Sequence, residues 1–413
     1  MKENLKKNST EKKGDKMKTE KNVRWGIIGL GNRGRYLSHI CHYAVPRSRV
    51  VAVCDRISPL LTSAVEYLGD HEIKMYTDHK EMLKHAKIDA VCVFVAPEHN
   101  PDIVCDCLEA GKHVLCEVPL SLTIEGCWRI VTTVEKTGLK FQMAEQTRYA
   151  AYVKNWKHMV ENNILGKILY CEGQYLHGMG PDRFWINPQT GERITIEEAK
   201  KTKIPLQKAR FWNLRHPIYY LPHELSPLLH ILDDRVVKVI GMATKNPGYR
   251  YDWFPQSDIE IALMHTEKDT VLRLMAGFTI ETLSGSEHCN RMIGTGGWVE
   301  QPRTKSGKGK LWLAERYMSD AADISWEYSN YWETPALASQ TGHGGLDYYP
   351  IADIVKSILF DKPTAMDVYK AADTAAPAIL AGLSIENGNK PVDVPDFRPS
   401  EKRLMGRLPE KPY

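Results

Sequence analysis

From Val23 onward, short apolar runs alternate with helically spaced stretches. Val23–Gly29, Arg49–Asp55, Ala90–Val95 and His113–Cys116 are rich in Val, Ile and Cys and apolar on both faces. That pattern predicts strands of a parallel sheet covered by helices on both sides. Asn32–Tyr43, Pro59–Leu68, Asp78–Lys84 and Pro101–Ala110 carry helical spacing between them, and Gly111 stands where a C-cap glycine would stop the last. Thr123–Thr137 predicts a further helix and Lys140–Met143 a further strand. The rhythm is that of an α/β Rossmann domain, doubly wound around a parallel sheet, over 22–146.

Beyond about residue 165 the texture changes. Lys167–Leu176, Val236–Thr244, Ile259–Met264, Val271–Thr279 and Asn290–Gly294 read as longer strands, several with polar alternation. They predict a second α/β domain over 147–397, built on a large open sheet, mostly antiparallel, with one face exposed. Pro, Gly and Trp interrupt residues 180–215, the pattern of a long loop or lid. Two helical stretches, Gly345–Phe360 and Val368–Glu386, precede a Pro-rich segment and a tail over 398–413.

A chain of 413 residues is too long for one ordinary core and agrees with two domains. Residues 1–21 carry eight lysines and four acidic residues, which accounts for the whole formal charge of +4. The remainder is balanced, so no basic face for nucleic acid is expected. The leading segment reads as a solvated, disordered tail; it lacks the apolar stretch of a secretory signal. No run of about 18 apolar residues is present, so no membrane span is expected. Nine cysteines without a CxxC pair argue against a disulfide framework and a zinc site, and point to buried thiols in a reducing cytoplasm.

Gly29-Leu30-Gly31-Asn32-Arg33-Gly34 is G-x-G-x-x-G, placed directly after an apolar strand and opening a helix. Gly29 permits the turn, Gly31 lets the backbone approach a pyrophosphate, and Gly34 lets helix and strand pack closely. Asp55 ends the next strand about twenty residues on, where a carboxylate bonds the ribose hydroxyls and repels a 2′-phosphate. NAD is therefore favoured, with Arg56 leaving NADP as the lesser alternative. Pro97, Glu98 and His99 follow one strand and Glu117 and Val118 another, outlining a crevice at the carboxyl ends of the sheet.

These segments, with GKHVLCEVPLSLTIEGCWRIV and the later GTGGWVE, resemble the Gfo/Idh/MocA family of NAD(P)-dependent sugar enzymes from Val23 to about Phe397. Many members carry a lysine in an E-K-P motif; this chain reads Glu117-Val118-Pro119. In that respect it is similar to the NAD-dependent glycosidases of glycoside hydrolase family 109, typified by α-N-acetylgalactosaminidase. Further likeness lies in Glu172–His177, Pro222–Pro227 and Gly342-His343-Gly344-Gly345-Leu346-Asp347. The resemblance implies that Tyr175, Tyr220, His223 and His343 surround a sugar, and that Glu117, Val118 and Gln146 line the nicotinamide. Gln146 stands where the branch has Asn, and Asn213 follows Trp212 where the branch has a substrate-contacting Arg.

The chemistry implied is oxidation at C3 of the sugar, elimination across C1–C2, addition of water and re-reduction, with a tightly held, recycled NAD. His223 is the expected base for the hydroxyl proton, since an ordinary imidazole titrates near pH 6.5; His216 and His230 are rivals. Tyr175 is the expected C2 base, which requires its phenol to fall below the usual value of about 10. No metal is expected, because His177, His223 and His343 match no ligand spacing. Trp185, Trp212, Tyr219 and Tyr220 are rings able to stack on a sugar. A sugar dehydrogenase or 3-keto-sugar reductase is the alternative, and an NAD-binding regulator without turnover a third. The exposed sheet face fits a homo-oligomer.

Overall fold

The computed structural model describes residues 21–178, 185–203, 207–208, 214–282, 286–304, 306–314, 318–325 and 335–400. The leading tail, Trp212, Asn213 and parts of the 180–215 segment lie outside them.

The first half runs β1 (Val23–Ile28), α1 (Asn32–His39), β2 (Ser48–Cys54), α2 (Ser58–Leu68), β3 (Lys74–Tyr76), α3 (His79–His85), β4 (Ala90–Val93), α4 (Asn100–Glu109), β5 (His113–Cys116), α5 (Ile124–Thr137) and β6 (Phe141–Met143). All six strands are parallel, in the order β3-β2-β1-β4-β5-β6. The chain reverses direction at β1 and β4, and ligands of open α/β sheets bind at that switch point. β4 is buried at every position, as a strand covered on both faces must be. The short edge strand β3 was not anticipated: Lys74 and Met75 are exposed, so no doubly apolar run marks it. α1 is also shorter than its apolar spacing predicts, because Ile40–Ala44 widen into a looser turn.

The second half continues with α6 (Ala151–Glu161), β7 (Ile168–His177), β8 (Trp185–Ile186), α7 (Ile196–Thr202), β9 (Gln207–Lys208), α8 (Pro222–Leu232), β10 (Val236–Ala243), β11 (Glu260–Thr266), β12 (Val271–Gly277), β13 (Ser286–Gly294), β14 (Gly297–Glu300), β15 (Gly309–Leu313), β16 (Ala322–Ile324), α9 (Tyr348–Phe360), α10 (Val368–Glu386) and β17 (Val392–Asp393). Nine of these strands form one sheet, β16-β15-β14-β13-β7-β12-β11-β10-β17, antiparallel except where β7 meets β12. This is the open, mostly antiparallel sheet that the polar alternation predicts. One face carries Glu172, Gln174, Arg273, Leu263 and Met242 towards solvent, with Leu263 and Met242 exposed. The other packs against α8 and α10.

Three packing features position the site. α8 is buried at nearly every residue, including His223 and Glu224, so its polar side chains face protein on all sides. α10 begins at the N-cap Asp367, whose carboxylate accepts from Tyr369 N and Lys370 N; such caps contribute about 1 kcal/mol. α9 crosses back to the first sheet, where Ile351 and Val355 join the core of Trp25, Ile27, Cys92 and Leu115. Gln142 Nε2 donates to Pro350 O at 2.6 Å and ties β6 to that helix. The glycine-rich hexapeptide before α9 is thereby delivered to the carboxyl end of the parallel sheet. All nine cysteines are buried and none forms a disulfide.

Candidate active site

The glycine turn has the three local properties that a dinucleotide requires. Gly29 has φ +92°, and a Cβ there would lie 2.5 Å from Phe94 O. A Cβ on Gly34 would lie 1.9 Å from Gly29 O, so only glycine lets α1 sit on β1. A Cβ on Gly31 would meet nothing within 4 Å, leaving open space where a pyrophosphate would approach. α1 carries no side-chain cap, and Asn32, Arg33 and Gly34 form its first turn, where unpaired N–H groups favour an anion.

Asp55 orients this turn. Its Oδ2 accepts from Leu30 N at 2.7 Å and its Oδ1 from Ile57 N at 2.9 Å. A carboxylate has about four acceptor positions, so two remain for ribose hydroxyls. Pro97–His99 form a single helical turn after β4, with Pro97 buried and His99 exposed. Asn100 then donates to Pro119 O at 2.9 Å and fixes the Glu117-Val118-Pro119 turn, which contains a cis Val118–Pro119 bond. Gln146 is 4% exposed, and its Oε1 has no protein partner. A buried orphan acceptor just past β6 is suited to a ligand amide. These residues fit a nicotinamide dinucleotide.

Arg33 joins three motifs that lie far apart in sequence. Its Nε donates to Glu117 Oε1 at 2.6 Å, and its two terminal nitrogens make a bidentate pair with Asp347 at 2.8 and 2.9 Å. His343 Nδ1 also lies 3.0 Å from Asp347 Oδ2. Burial opposes the charge on Asp347, but the hydrogen bonds from His343 and Arg33 outweigh it and hold the carboxyl at about 2. The backbone before it needs glycine: Gly344 and Gly345 have φ +67° and +96°, and Tyr36 OH accepts from Gly342 N. Arg33 and His343 thus clasp the hexapeptide to the nucleotide turn, while His343 keeps an exposed ring.

A second cluster of side chains is built on β7, α8 and β13. Tyr175 on β7 stacks on His223 of α8, with ring centres 5.2 Å apart and planes 17° apart. Tyr220 lies 5.7 Å from Tyr175 and 5.4 Å from His223, and Phe278 closes the apolar side at 5.6 Å from Tyr220. His177 lies 4.9 Å from Tyr175. His223 Nδ1 sits 2.6 Å from Oε2 of the wholly buried Glu145. The contact falls outside hydrogen-bond geometry, so the two side chains meet as a close polar contact. Glu145 Oε1 accepts from Thr147 N at 2.6 Å, which fixes the carboxylate.

The two rival histidines have other duties. His216 is clamped between Glu260 at 2.8 Å and Glu386 at 2.9 Å; burial opposes its charge, but the two carboxylates raise its proton affinity. His230 accepts from Arg148 at 3.0 Å, and burial together with Arg148 and Lys157 pushes it down to about 3. Trp185 stacks near Trp253 at 6.4 Å, and Tyr219 lies 5.3 Å from His216, so neither ring joins Tyr175. Among the described residues no group of three or more His, Cys, Asp or Glu side chains is arranged to hold a metal ion. No helix of the described residues is long and apolar enough to cross a membrane.

Sequence reasoning missed Glu145, Glu224 and His288. His288 Nδ1 lies 2.5 Å from Glu224 Oε1, beside Tyr175. Glu145 does carry a signal: it is an acid just past an apolar strand, the position that singled out Asp55.

A parallel sheet reversing at the glycine turn, joined to an open sheet that presents polar rings to its carboxyl end, defines an NAD-binding oxidoreductase fold of the Gfo/Idh/MocA type. Residues 23–145 match the model described as the oxidoreductase family, NAD-binding Rossmann fold. Residues 149–402 match the glycosyl hydrolase 109 C-terminal domain, and the chain belongs to that family. A glycosyl hydrolase family 109 protein of Saccharopolyspora erythraea is 26% identical over 91% of this chain and 83% of its own length. An alpha-N-acetylgalactosaminidase of Shewanella oneidensis is likewise 26% identical, over 91% and 85%. In fold, the chain is similar to scyllo-inositol dehydrogenase from Lactobacillus casei solved with NAD(H) and scyllo-inositol, with TM-score 0.66, 18% identity and coverage of 90% and 99%.

Proposed function

We propose that this chain is a redox-assisted glycosidase that uses a tightly held NAD and acts on an α-N-acetylgalactosaminide or a closely related sugar. The observation that carries the reading is His223, backed by the buried Glu145 just past the last strand of the parallel sheet and stacked on Tyr175. The S. oneidensis relative named alpha-N-acetylgalactosaminidase supports the substrate class. The Asp55 carboxylate supports NAD over NADP, since it would repel a 2′-phosphate. Bound there, the cofactor supplies a hydride acceptor that can return what it takes.

His223 removes the C3 hydroxyl proton as the carbinol becomes a ketone, and Glu145 stabilises the resulting imidazolium. The ketone acidifies the C2 hydrogen, which Tyr175 takes. The electron pair left at C2 closes a C1=C2 bond as the C1 substituent departs. Water adds back at C1, Tyr175 returns a proton to C2, and His223 returns its proton to the C3 oxygen. Tyr220 and Phe278 shield these groups on the apolar side. Glu117 is engaged by Arg33, and valine stands next to it where many relatives of the wider family have a lysine, so the proton of the carbinol has His223 as its acceptor.

The test is incubation of the NAD-loaded protein with p-nitrophenyl α-N-acetylgalactosaminide in D2O. Sugar released over many cycles without net NADH, and with deuterium at C2, is the expected result. NADH accumulating in step with oxidised sugar would make the chain a dehydrogenase instead. Absence of turnover across a panel of glycosides would favour a regulator.

A further inference from the structure

A cavity of about 240 Å³ lies between α8, the start of α10 and the turn Thr147–Tyr149. None of the groups assigned above to the nucleotide or the sugar lines it. Arg148 forms one wall and is 7% exposed. Its Nη2 donates to His230 Nδ1 at 3.0 Å, and its Nη1 donates to the thioether sulfur of Met366. Among the described residues no carboxylate pairs with it. Burial works against its charge, and Glu145, Asp367 and Asp353 favour that charge only through space. A buried cation without a contacting counter-ion is costly.

The other cations of the wall are already matched. Arg398 pairs with Asp373 at 2.6 Å, Arg235 with Glu267 at 2.9 Å, Lys268 with Asp233 at 3.5 Å and Lys370 with Asp367 at 3.1 Å. The remaining acids are engaged too: Asp396 by Arg398, and Asp234 by the N–H groups of Arg235 and Lys268. Arg148 is thus the cation of this wall whose charge has no partner in contact.

Beside it stand further donors and no strong acceptor. His230 is neutral and accepts at Nδ1, so its proton sits on Nε2. Ser226, which is 2% exposed, turns its hydroxyl to the same Met366 sulfur at 3.8 Å. A thioether is a weak acceptor, so both the guanidinium and the hydroxyl keep donor capacity in hand.

We propose that this corner is a binding site for a small oxyanion, a carboxylate or a phosphate, held by the Arg148 guanidinium with support from Ser226 and the His230 Nε2–H. A planar guanidinium matches two oxygens of such a group. The cavity is smaller than the roughly 300–1,000 Å³ of most small-molecule sites, which suits an ion rather than a sugar or a nucleotide. The carboxylates across the cavity are neutralised by their own partners, and the ion supplies the counter-charge that Arg148 lacks. The site does not depend on the glycosidase reading.

The test titrates inorganic phosphate, and separately acetate, into the full chain saturated with NAD, so that the glycine turn is already filled. Calorimetry at fixed ionic strength should show one saturable site for at least one of the two ions, and the tighter ion reports whether a tetrahedral or a planar group fills the fork. Arg148→Met should weaken that binding by about tenfold or more. Should this variant fail to fold, Ser226→Ala makes the same comparison with the guanidinium in place, and weaker binding is again expected. Saturable binding that the substitution leaves unchanged would put the ion elsewhere and overturn the proposal. Absence of saturable binding of both ions to the wild type would overturn it as well.

Discussion

His223 and Glu145 meet at 2.6 Å although they belong to different halves of the molecule. Glu145 follows the last strand of the parallel sheet and His223 opens a buried helix under the second sheet. A buried histidine under the second sheet is thus held against a carboxylate that follows the parallel sheet.

This pairing gives the first expectation. His223→Ala should lower kcat on the aryl glycoside by about 10²–10⁴-fold, and Glu145→Gln by on the order of 10²-fold, since a positioned base contributes that much. NAD affinity, measured by fluorescence titration, should change little in either variant. Wild-type kcat in both variants would remove the pair from the chemistry.

The glycines separate ligand effects from folding effects. Gly34→Ala drives a Cβ into Gly29 O and should cost about 1–3 kcal/mol or more in denaturant unfolding. Gly31→Ala meets no protein atom within 4 Å, so stability should hold while NAD binding weakens by about tenfold, or about 1.4 kcal/mol. Calorimetry with and without NAD distinguishes the two. Equal stability losses would mean that the space beside Gly31 does not serve a ligand.

The Arg33–Asp347 pair should make stability acid-sensitive. Asp347 is held at about 2, below the unfolded value of about 3.9. A depressed carboxyl stabilises the fold above its unfolded value and loses that contribution as pH falls through the folded one. The contribution, on the order of 2 kcal/mol at neutral pH, should vanish between about pH 4 and pH 2. Unfolding curves across that range check it, and Asp347→Asn should flatten the dependence. Arg33→Met leaves the buried Asp347 carboxylate with His343 alone and should cost about 3 kcal/mol.

His230 should be silent in the pH profile. Burial and the neighbouring Arg148 and Lys157 hold it at about 3, so it is neutral throughout the working range. Its imidazole resonances should not titrate between pH 5 and 8, and a titration there would place a charge beside Arg148 that the packing disfavours.

What was legible in the sequence was local. The glycine turn and Asp55 lie within one βαβ unit, and their geometry follows from strand, turn and helix signals alone. The alternation along β7, β11 and β12 likewise announced a sheet with one open face. Glu145 with His223, Glu224 with His288 and Arg33 with Asp347 are partners made by the fold, because each joins residues that only the packing of α8, β13 or α9 brings together. β3 escaped for the opposite reason: an exposed three-residue edge strand buries too little apolar surface to leave a pattern.

The central claim is that a hydride leaves the sugar ring and returns to it within one catalytic cycle. Turnover of p-nitrophenyl α-N-acetylgalactosaminide deuterated at C3 tests it most directly. The account predicts a primary isotope effect on kcat/KM, with the label retained at C3 of the released sugar. Cleavage at the unlabelled rate, or with the label lost to solvent, would contradict it.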